Sequence, residues 1–295
     1  MNPLIKKTLL GLKPLKGKEI NQCICLSSSS INQCWQIQLD NGEKFFAKTG
    51  RGNSFEMFQS EKKSLLALRT FMDTTLLEIP KPLALEKVEE TSILLMPWLK
   101  FHQGSQSLLG EGLAKIHLAS TANNPNKFGW DHDGFIGAGA QVGGWKKSWG
   151  ECFVRLRLIP QINIARVKWG LKISKEDCLI DALMEFLNHH QPLPSLVHGD
   201  LWSGNAFTAQ DGRGILLDPA SWWADREVDL AMTKLFGGFS SAFYNSYQKV
   251  WPLDNSAELR IEIYNLYHLL NHANIFGGEY EHQCRSIIRS FKRYI

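Results

Sequence analysis

The segment LVHGDLWSGN, residues 196–205, places an aspartate, two glycines, a tryptophan and an asparagine directly behind an apolar run. Asp200 and Asn205 have the spacing of kinase catalytic loops, in which the aspartate accepts a proton from the attacking hydroxyl and the asparagine binds a metal ion. Phosphoryl transfer is the first expectation, and the flanking sequence supplies its tests.

Downstream, GILLDPA offers a buried-looking strand, Ile215 to Leu217, ending in Asp218. A carboxylate fixed at a strand end suits magnesium, a hard cation that prefers oxygen. Taken alone, an aspartate before Pro219 reads more simply as the opening of a turn. Asp200, Asn205 and Asp218 together supply a base, an amide and a second carboxylate in the order phosphoryl transfer requires. Upstream, FFAKTG puts Lys48 at the end of an apolar strand, a common place for a lysine. In the helix that follows, Phe58, Glu61, Leu65 and Leu68 share one face, whereas Glu56 and Lys63 point elsewhere. A buried carboxylate needs a partner, and Lys48 is the obvious one. A strand lysine held by a helix glutamate is the pair that positions nucleotide phosphates in kinases.

The chain has 295 residues, 44% of them hydrophobic, enough for two lobes around a large core. Thirty-three Lys and Arg against 29 Asp and Glu are too even a balance to mark a nucleic-acid or membrane binder. Lys6 and Lys7 interrupt what would have to be a signal core, and no apolar run approaches a membrane span, so the expected location is cytoplasmic. No obligate protein partner is evident. Six scattered cysteines suit reduced thiols. Cys23 and Cys25 read as alternate residues on one strand face without zinc-ligand partners, and Cys25 and Cys34 are expected in the body of the sheet. His268 and His272 lie one helical turn apart, but the glutamate of a zincin motif is missing, which leaves packing or capping as their role.

Residues 19 to 49 read as an antiparallel meander with a turn at Asp40-Asn41-Gly42, followed by a helix from Ser54 to Arg69. SILLMPWL, residues 92–99, reads as a further strand running into a connection. Beyond Gly104 helical periodicity dominates. The expected fold is α+β and bilobal, with a small antiparallel β-rich nucleotide lobe, residues 1–96, and a larger mainly helical lobe, residues 97–295, for catalysis and substrate. In a hinge at LMPWL, Pro97 would offer adenine its carbonyl and Leu99 an N–H donor.

HGDLWSGN, LLDPASWWADREVDLAMTKLFGGF, FGWDHDGFIGAGAQVGGWKKSWGECFVRLRLIPQI and YNLYHLLNHANIFGGEY together resemble the fructosamine kinase (ketosamine-3-kinase) family of the protein-kinase-like fold, related to aminoglycoside phosphotransferases. The likeness is loose in the small lobe and dense from Phe128 to Tyr280. It implies Asp200 as catalytic base, Asn205 and Asp218 as magnesium ligands, Lys48 with Glu61 as the phosphate-positioning pair, and His198 with Asp229 as supports of the catalytic loop. It also implies ATP as donor and a ketosamine, the product of amine glycation, as the small-molecule acceptor at its carbon-3 hydroxyl. Aminoglycoside and other amino-sugar or amino-alcohol kinases share the catalytic set.

Two segments depart from the family pattern. SSSSIN replaces a glycine-rich turn ending in cysteine, so Ser28, Ser29 and Ser30 are left to offer backbone N–H groups to phosphate without glycine's freedom at positive φ. Ala224-Asp225 stands where Gly-His is usual, and its closeness in sequence to Asp218 puts Asp225 near the expected acceptor. Trp202 suits a core position and an acceptor-sugar wall equally. Trp222, soon after Asp218, is expected to join that wall. The glycines of GAGAQVGGW match neither a dinucleotide nor a Walker fingerprint and suit a loop over the cleft.

Overall fold

The computed structural model describes residues 1–28 and 32–291. A short helix α1 (Pro3–Gly11) precedes strands β1 (Ile20–Ser28), β2 (Asn32–Leu39) and β3 (Lys44–Gly50). Period-two patterning forms this meander: Trp35, Ile37 and Leu39 of β2 all face the interior. Its tight turn is held by Asn41 N donating to Asp40 Oδ1 and Glu43 N to Asn41 Oδ1, with Gly42 at φ +84°. Helix α2 (Ser54–Phe71) buries Phe58, Leu65 and Leu68. Strands β4 (Leu77–Glu78), β5 (Ala84–Val88) and β6 (Thr91–Pro97) follow, giving a five-stranded antiparallel sheet in the order β1-β2-β3-β6-β5. Strand β4 is not part of it.

Helix α3 (Ser107–Thr121) opens the larger, mainly helical part. Short strands β7 (Phe128–Trp130), β8 (Gly134–Ile136), β9 (Gly139–Gln141) and β10 (Gly144–Lys146) carry the chain to α4 (Trp149–Phe153). A π-helical turn, Val154–Leu158, leads into α5 (Ile159–Trp169) and α6 (Glu176–His190). Pro160 explains the wide turn: it has no N–H to return to the Leu156 carbonyl, which accepts from Nη1 of the buried Arg157 at 2.9 Å instead.

Strands β11 (Ser195–Val197), β12 (Ala206–Thr208), β13 (Gly214–Leu216) and β14 (Trp222–Ala224) carry the functional loops. Helices α7 (Glu227–Leu235), α8 (Ser241–Val250), α9 (Ala257–Phe276) and α10 (Glu279–Ser290) complete the chain. Helix α9 is buried for most of its length and packs Tyr264 against Trp149 and Phe153, and Tyr267 against Phe153. Parallel pairing of β4 with β13 ties the segment after α2 to the floor of the cleft. Among the described residues no helix is long and apolar enough to cross a membrane.

Candidate active site

The apolar strand β11 fixes the loop that follows it, because its residues and Trp222–Ala224 of β14 pair antiparallel inside the core. Gly199 makes the loop's sharp turn at φ +85°, where any Cβ would collide with the Ala220 carbonyl. Asp229, fully buried in the first turn of α7, accepts from His198 N at 2.7 Å and Gly199 N at 2.8 Å. His117 of α3 reaches the same carboxylate with Nε2 at 3.0 Å, while its Nδ1 meets the Tyr247 hydroxyl at 2.8 Å. Burial works against the Asp229 charge, and the donors from His117 and the loop overcome it, holding the carboxyl below its usual range. The His198 ring donates from Nε2 to the Leu217 carbonyl and accepts from Asp200 N, so it ties the two catalytic-loop strands together. Burial holds that imidazole toward its neutral form.

Asp200 therefore projects from a braced backbone. Asn205 Nδ2 donates to both its carbonyl, at 2.9 Å, and its carboxylate, at 3.2 Å. Burial, with the Asp218 charge second, pushes the Asp200 carboxyl up to about 7. Asp218 follows β13 in left-handed backbone at φ +52°, a strained conformation for a residue with a side chain. Lys48 Nζ lies 2.9 Å from both carboxylate oxygens of Glu61 and 2.7 Å from Asp218 Oδ1. The crowded cleft disfavours the Asp218 charge, but Lys48 outweighs it and keeps this carboxyl low. Burial likewise pushes Glu61 upward against the pull of the same ammonium.

Two cavities meet at this ion cluster. One, about 720 Å³, is lined by Phe46, Met96, Pro97, Leu99, Phe101 and Phe207 together with Lys48, Glu61 and Asp218. Phe101 and Phe207 stack 4.1 Å apart at 6° along its edge. The other, about 340 Å³, shares Lys48, Glu61 and Asp218 and adds Asp200, Asn205 and Trp202. The β8–β9 hairpin closes over this second cavity through Gly137 and Ala138, which is the placement expected for the glycine-rich stretch.

The structure thus brings Asp200, Asn205, Asp218, Lys48 and Glu61 together, with Pro97 and Leu99 on one side and the 41% exposed Trp202 on the other. Ser28 ends β1, whereas Ser29 and Ser30 lie outside the described residues. Trp222 and Asp225 require correction. Pairing with Val197 turns Trp222 into the core, where its ring lies 5.6 Å from Trp149 and under the Arg157 guanidinium at 3.8 Å. Asp225 is buried and committed to Tyr264 Oη at 2.6 Å and His190 Nε2 at 3.1 Å. Neither lines the cleft. Cys25 also differs from expectation: it is exposed on β1, while Cys34 of β2 is half-buried. His272 Nδ1 meets the His268 carbonyl, a packing role for that pair.

Sequence reasoning missed His117, Phe101 and Phe207. His117 carries no flanking motif. Phe207 had a faint signal in its position two residues after Asn205.

The fructosamine kinase family model matches residues 5–293. A probable ketoamine kinase of Synechocystis sp. is 36% identical over 271 residues, covering 91% of this chain and 89% of the relative. The chloroplastic protein-ribulosamine 3-kinase of Arabidopsis thaliana is 33% identical, covering 95% and 85%. A solved putative fructosamine-3-kinase from Haemophilus somnus superposes with a TM-score of 0.86 at 28% identity, covering 97% and 96%. A thermostable mutant of an aminoglycoside phosphotransferase shares the fold, with a TM-score of 0.62 at 16% identity and coverage of 97% and 98%. Matched over nearly its whole length, the chain belongs to the fructosamine kinase family and is a phosphotransferase acting on an alcohol group.

Proposed function

We propose that this protein transfers the γ-phosphoryl group of ATP to the carbon-3 hydroxyl of a ketosamine of the fructosamine or ribulosamine type, a step in the deglycation of amines. The observation that carries the reading is the partition of the cleft: Lys48, Glu61 and Asp218 border both cavities, while Asp200 faces only the smaller, more polar one. Nucleotide and acceptor then approach the ion cluster from opposite sides, as in-line transfer requires. The nucleotide lobe is residues 1–96 and the catalytic lobe 97–295, joined also by the pairing of β4 with β13.

Adenine occupies the apolar cavity, with Pro97 and Leu99 presenting backbone groups and the Phe101–Phe207 stack flanking it. Lys48, steered by Glu61, contacts phosphate oxygens. Asp200 orients the acceptor hydroxyl and takes its proton. With Asn205 Nδ2 committed to Asp200, the Asn205 amide oxygen and the Asp218 carboxylate form a hard oxygen pair that fits Mg2+. When bound, that ion neutralises charge on the phosphates. Trp202 offers its exposed face to sugar C–H groups. An acceptor screen with ATP tests the reading. ADP release is expected with fructosyl, ribulosyl or erythrulosyl amines, whereas turnover confined to aminoglycosides would replace it with an antibiotic-type phosphotransferase.

A further inference from the structure

The β8–β9 hairpin over the smaller cavity is too short to hold its own shape, because a lone two-stranded hairpin is marginal in water. Buried side chains of the larger lobe hold it instead. Asn271 of α9 donates to the Ile136 carbonyl at 3.3 Å, Gln161 of α5 to the Ala140 carbonyl at 3.4 Å, and Arg157 Nη1 to the Val142 carbonyl at 2.8 Å. Gln141 reaches out of the hairpin to the Ala220 carbonyl at 3.1 Å and accepts from Tyr267 Oη at 2.9 Å. At the base Gly143 N donates to Asp133 Oδ1 at 2.7 Å. Displacing the hairpin would strip partners from several buried polar groups at once, so it moves as a rigid part of the larger lobe.

The smaller lobe meets this hairpin through one face of α2, on which Met57, Ser60, Glu61 and Ser64 recur at helical spacing. Met57 and Glu61 line the smaller cavity together with Phe135, Gly137 and Ala138 of the hairpin. Ser64 Oγ accepts from Ser221 N at 3.1 Å, three residues beyond Asp218. Ser60 meets Gly134 of β8, where a Cβ would stand 2.7 Å from Ser60 Oγ and 3.8 Å from Ser60 Cβ. Gly134 does not have a positive φ, so this position requires the absence of a side chain and not glycine's backbone freedom. Ser60 directly precedes Glu61, which holds Lys48 Nζ at 2.9 Å, and the same ammonium crosses the cleft to Asp218 Oδ1 at 2.7 Å.

Helix α2 can therefore approach the larger lobe only as far as the anchored hairpin permits. That limit sets where the Lys48–Glu61 pair stands relative to Asp218. A nucleotide held by Lys48 at its phosphates and by Asp218 through magnesium spans the same gap. We propose that Ser60 and Gly134 are positioning residues: their contact is the stop that seats α2 and holds Lys48 and Asp218 at the separation magnesium-ATP requires. The stop rests on the phosphoryl-transfer roles given to Lys48 and Asp218, and it is independent of which acceptor is used.

Perturbations of opposite sense test it. Gly134→Val and Ser60→Val each force branched carbon into the contact and should lift α2 off its stop. Calorimetry should then show affinity for magnesium-AMP-PNP about tenfold weaker, with affinity for metal-free AMP-PNP within about twofold of wild type, a split that general destabilisation would not produce. Turnover of the methylamine adduct of fructose should fall by about tenfold to a hundredfold in kcat. Gly134→Val/Ser60→Gly should recover both, because glycine opposite the valine restores the space. In Gly134→Cys/Ser60→Cys the two Cβ atoms stand 3.8 Å apart, a spacing a disulfide spans. Oxidised, this protein should bind magnesium-AMP-PNP at least as tightly as its own reduced form and keep turning over, with wild type under the same oxidant reporting on the native thiols. Equal losses with and without magnesium, or no loss in either valine variant, would overturn the stop. A locked form that no longer binds magnesium-AMP-PNP would overturn it too, and this arm decides alone where the valine variants do not fold. If wild type fails to turn over the adduct, the ketosamine reading falls, while the nucleotide affinities still decide the stop.

Discussion

Replacing Asp229 with alanine tests the bracing of the catalytic loop most directly. The carboxylate accepts three buried donors: His198 N at 2.7 Å, Gly199 N at 2.8 Å and His117 Nε2 at 3.0 Å. Each donor left unpaired in the interior costs about 1 to 3 kcal/mol, and breaking a buried charged network by removing one partner typically costs about 3 to 5 kcal/mol. We expect a loss of about 4 kcal/mol, seen in urea unfolding at pH 7.5 as a lower midpoint with unchanged slope. For a chain of this size that corresponds to a Tm lower by roughly 10 °C. Asp229→Asn should fall between, because its NH2 group must face one of the three donors. Since the folded state holds this carboxyl below its unfolded value, its contribution is present above the unfolded pKa and disappears as pH falls through the folded one. The gap between wild type and Asp229→Ala should be constant from pH 7 to 9 and narrow toward pH 3. The surviving folded variant should bind ATP within a fewfold of wild type but turn over about a hundredfold more slowly, because only the Asp200 side of the cleft has been loosened. A double-mutant cycle with His117→Phe should give a coupling of about 2 kcal/mol. An Asp229→Ala protein within 1 kcal/mol of wild type, or one with wild-type turnover, would refute the bracing role.

Asp200→Asn should retain the fold and ATP affinity while losing ketosamine-dependent ADP release; turnover near wild type removes Asp200 from the mechanism. Asp218→Ala should weaken binding of magnesium-nucleotide more than of metal-free nucleotide, measured by calorimetry with and without the ion, and equal losses would leave Asp218 a turn-forming residue. In the separate cluster beneath α6, burial opposes the charged form of His190, but Asp225 and Glu227 outweigh it and raise its pKa, with Arg260 opposing and Asp254 3.8 Å from Nδ1. Its stabilisation is full below the unfolded pKa and fades as pH rises through the folded one, so His190→Gln should flatten the loss of Tm between pH 6 and 9. A wild-type-like pH profile in that variant would refute the pairing.

What could be read from the sequence was what local periodicity or contiguity encodes. Glu61 shares a helical face with Phe58, Leu65 and Leu68, and that face is buried, so its need for a cation was visible before any contact was known. Asp200, Asn205 and Asp218 lie on consecutive short strands and turns, so order along the chain is also order around the site. Trp222 and Asp225 were misplaced because nearness in sequence to Asp218 was taken for nearness in space. Between them the chain passes through left-handed backbone at Asp218 and enters β14, and the register of β14 on β11, opposite Val197 and Ser195, decides which side chains enter the core.

Register and long-range docking also hid His117, which is 112 residues from Asp229, and the ring pair Phe101–Phe207, which meets only because the His102–Thr208 bridge joins the segment after β6 to β12. The same reasoning separates the two halves of the site by how freely they can vary. The loop carrying Asp200 is fixed by a buried carboxylate, two histidines and a glycine without room for a side chain, so a change in any of them disturbs the chemistry. The acceptor side of the cleft is bounded instead by the exposed Trp202, which lines the smaller cavity. A Trp202→Ala variant should therefore raise KM for the acceptor and leave kcat near wild type, and a loss confined to kcat would refute this division between exposed ring and buried donors.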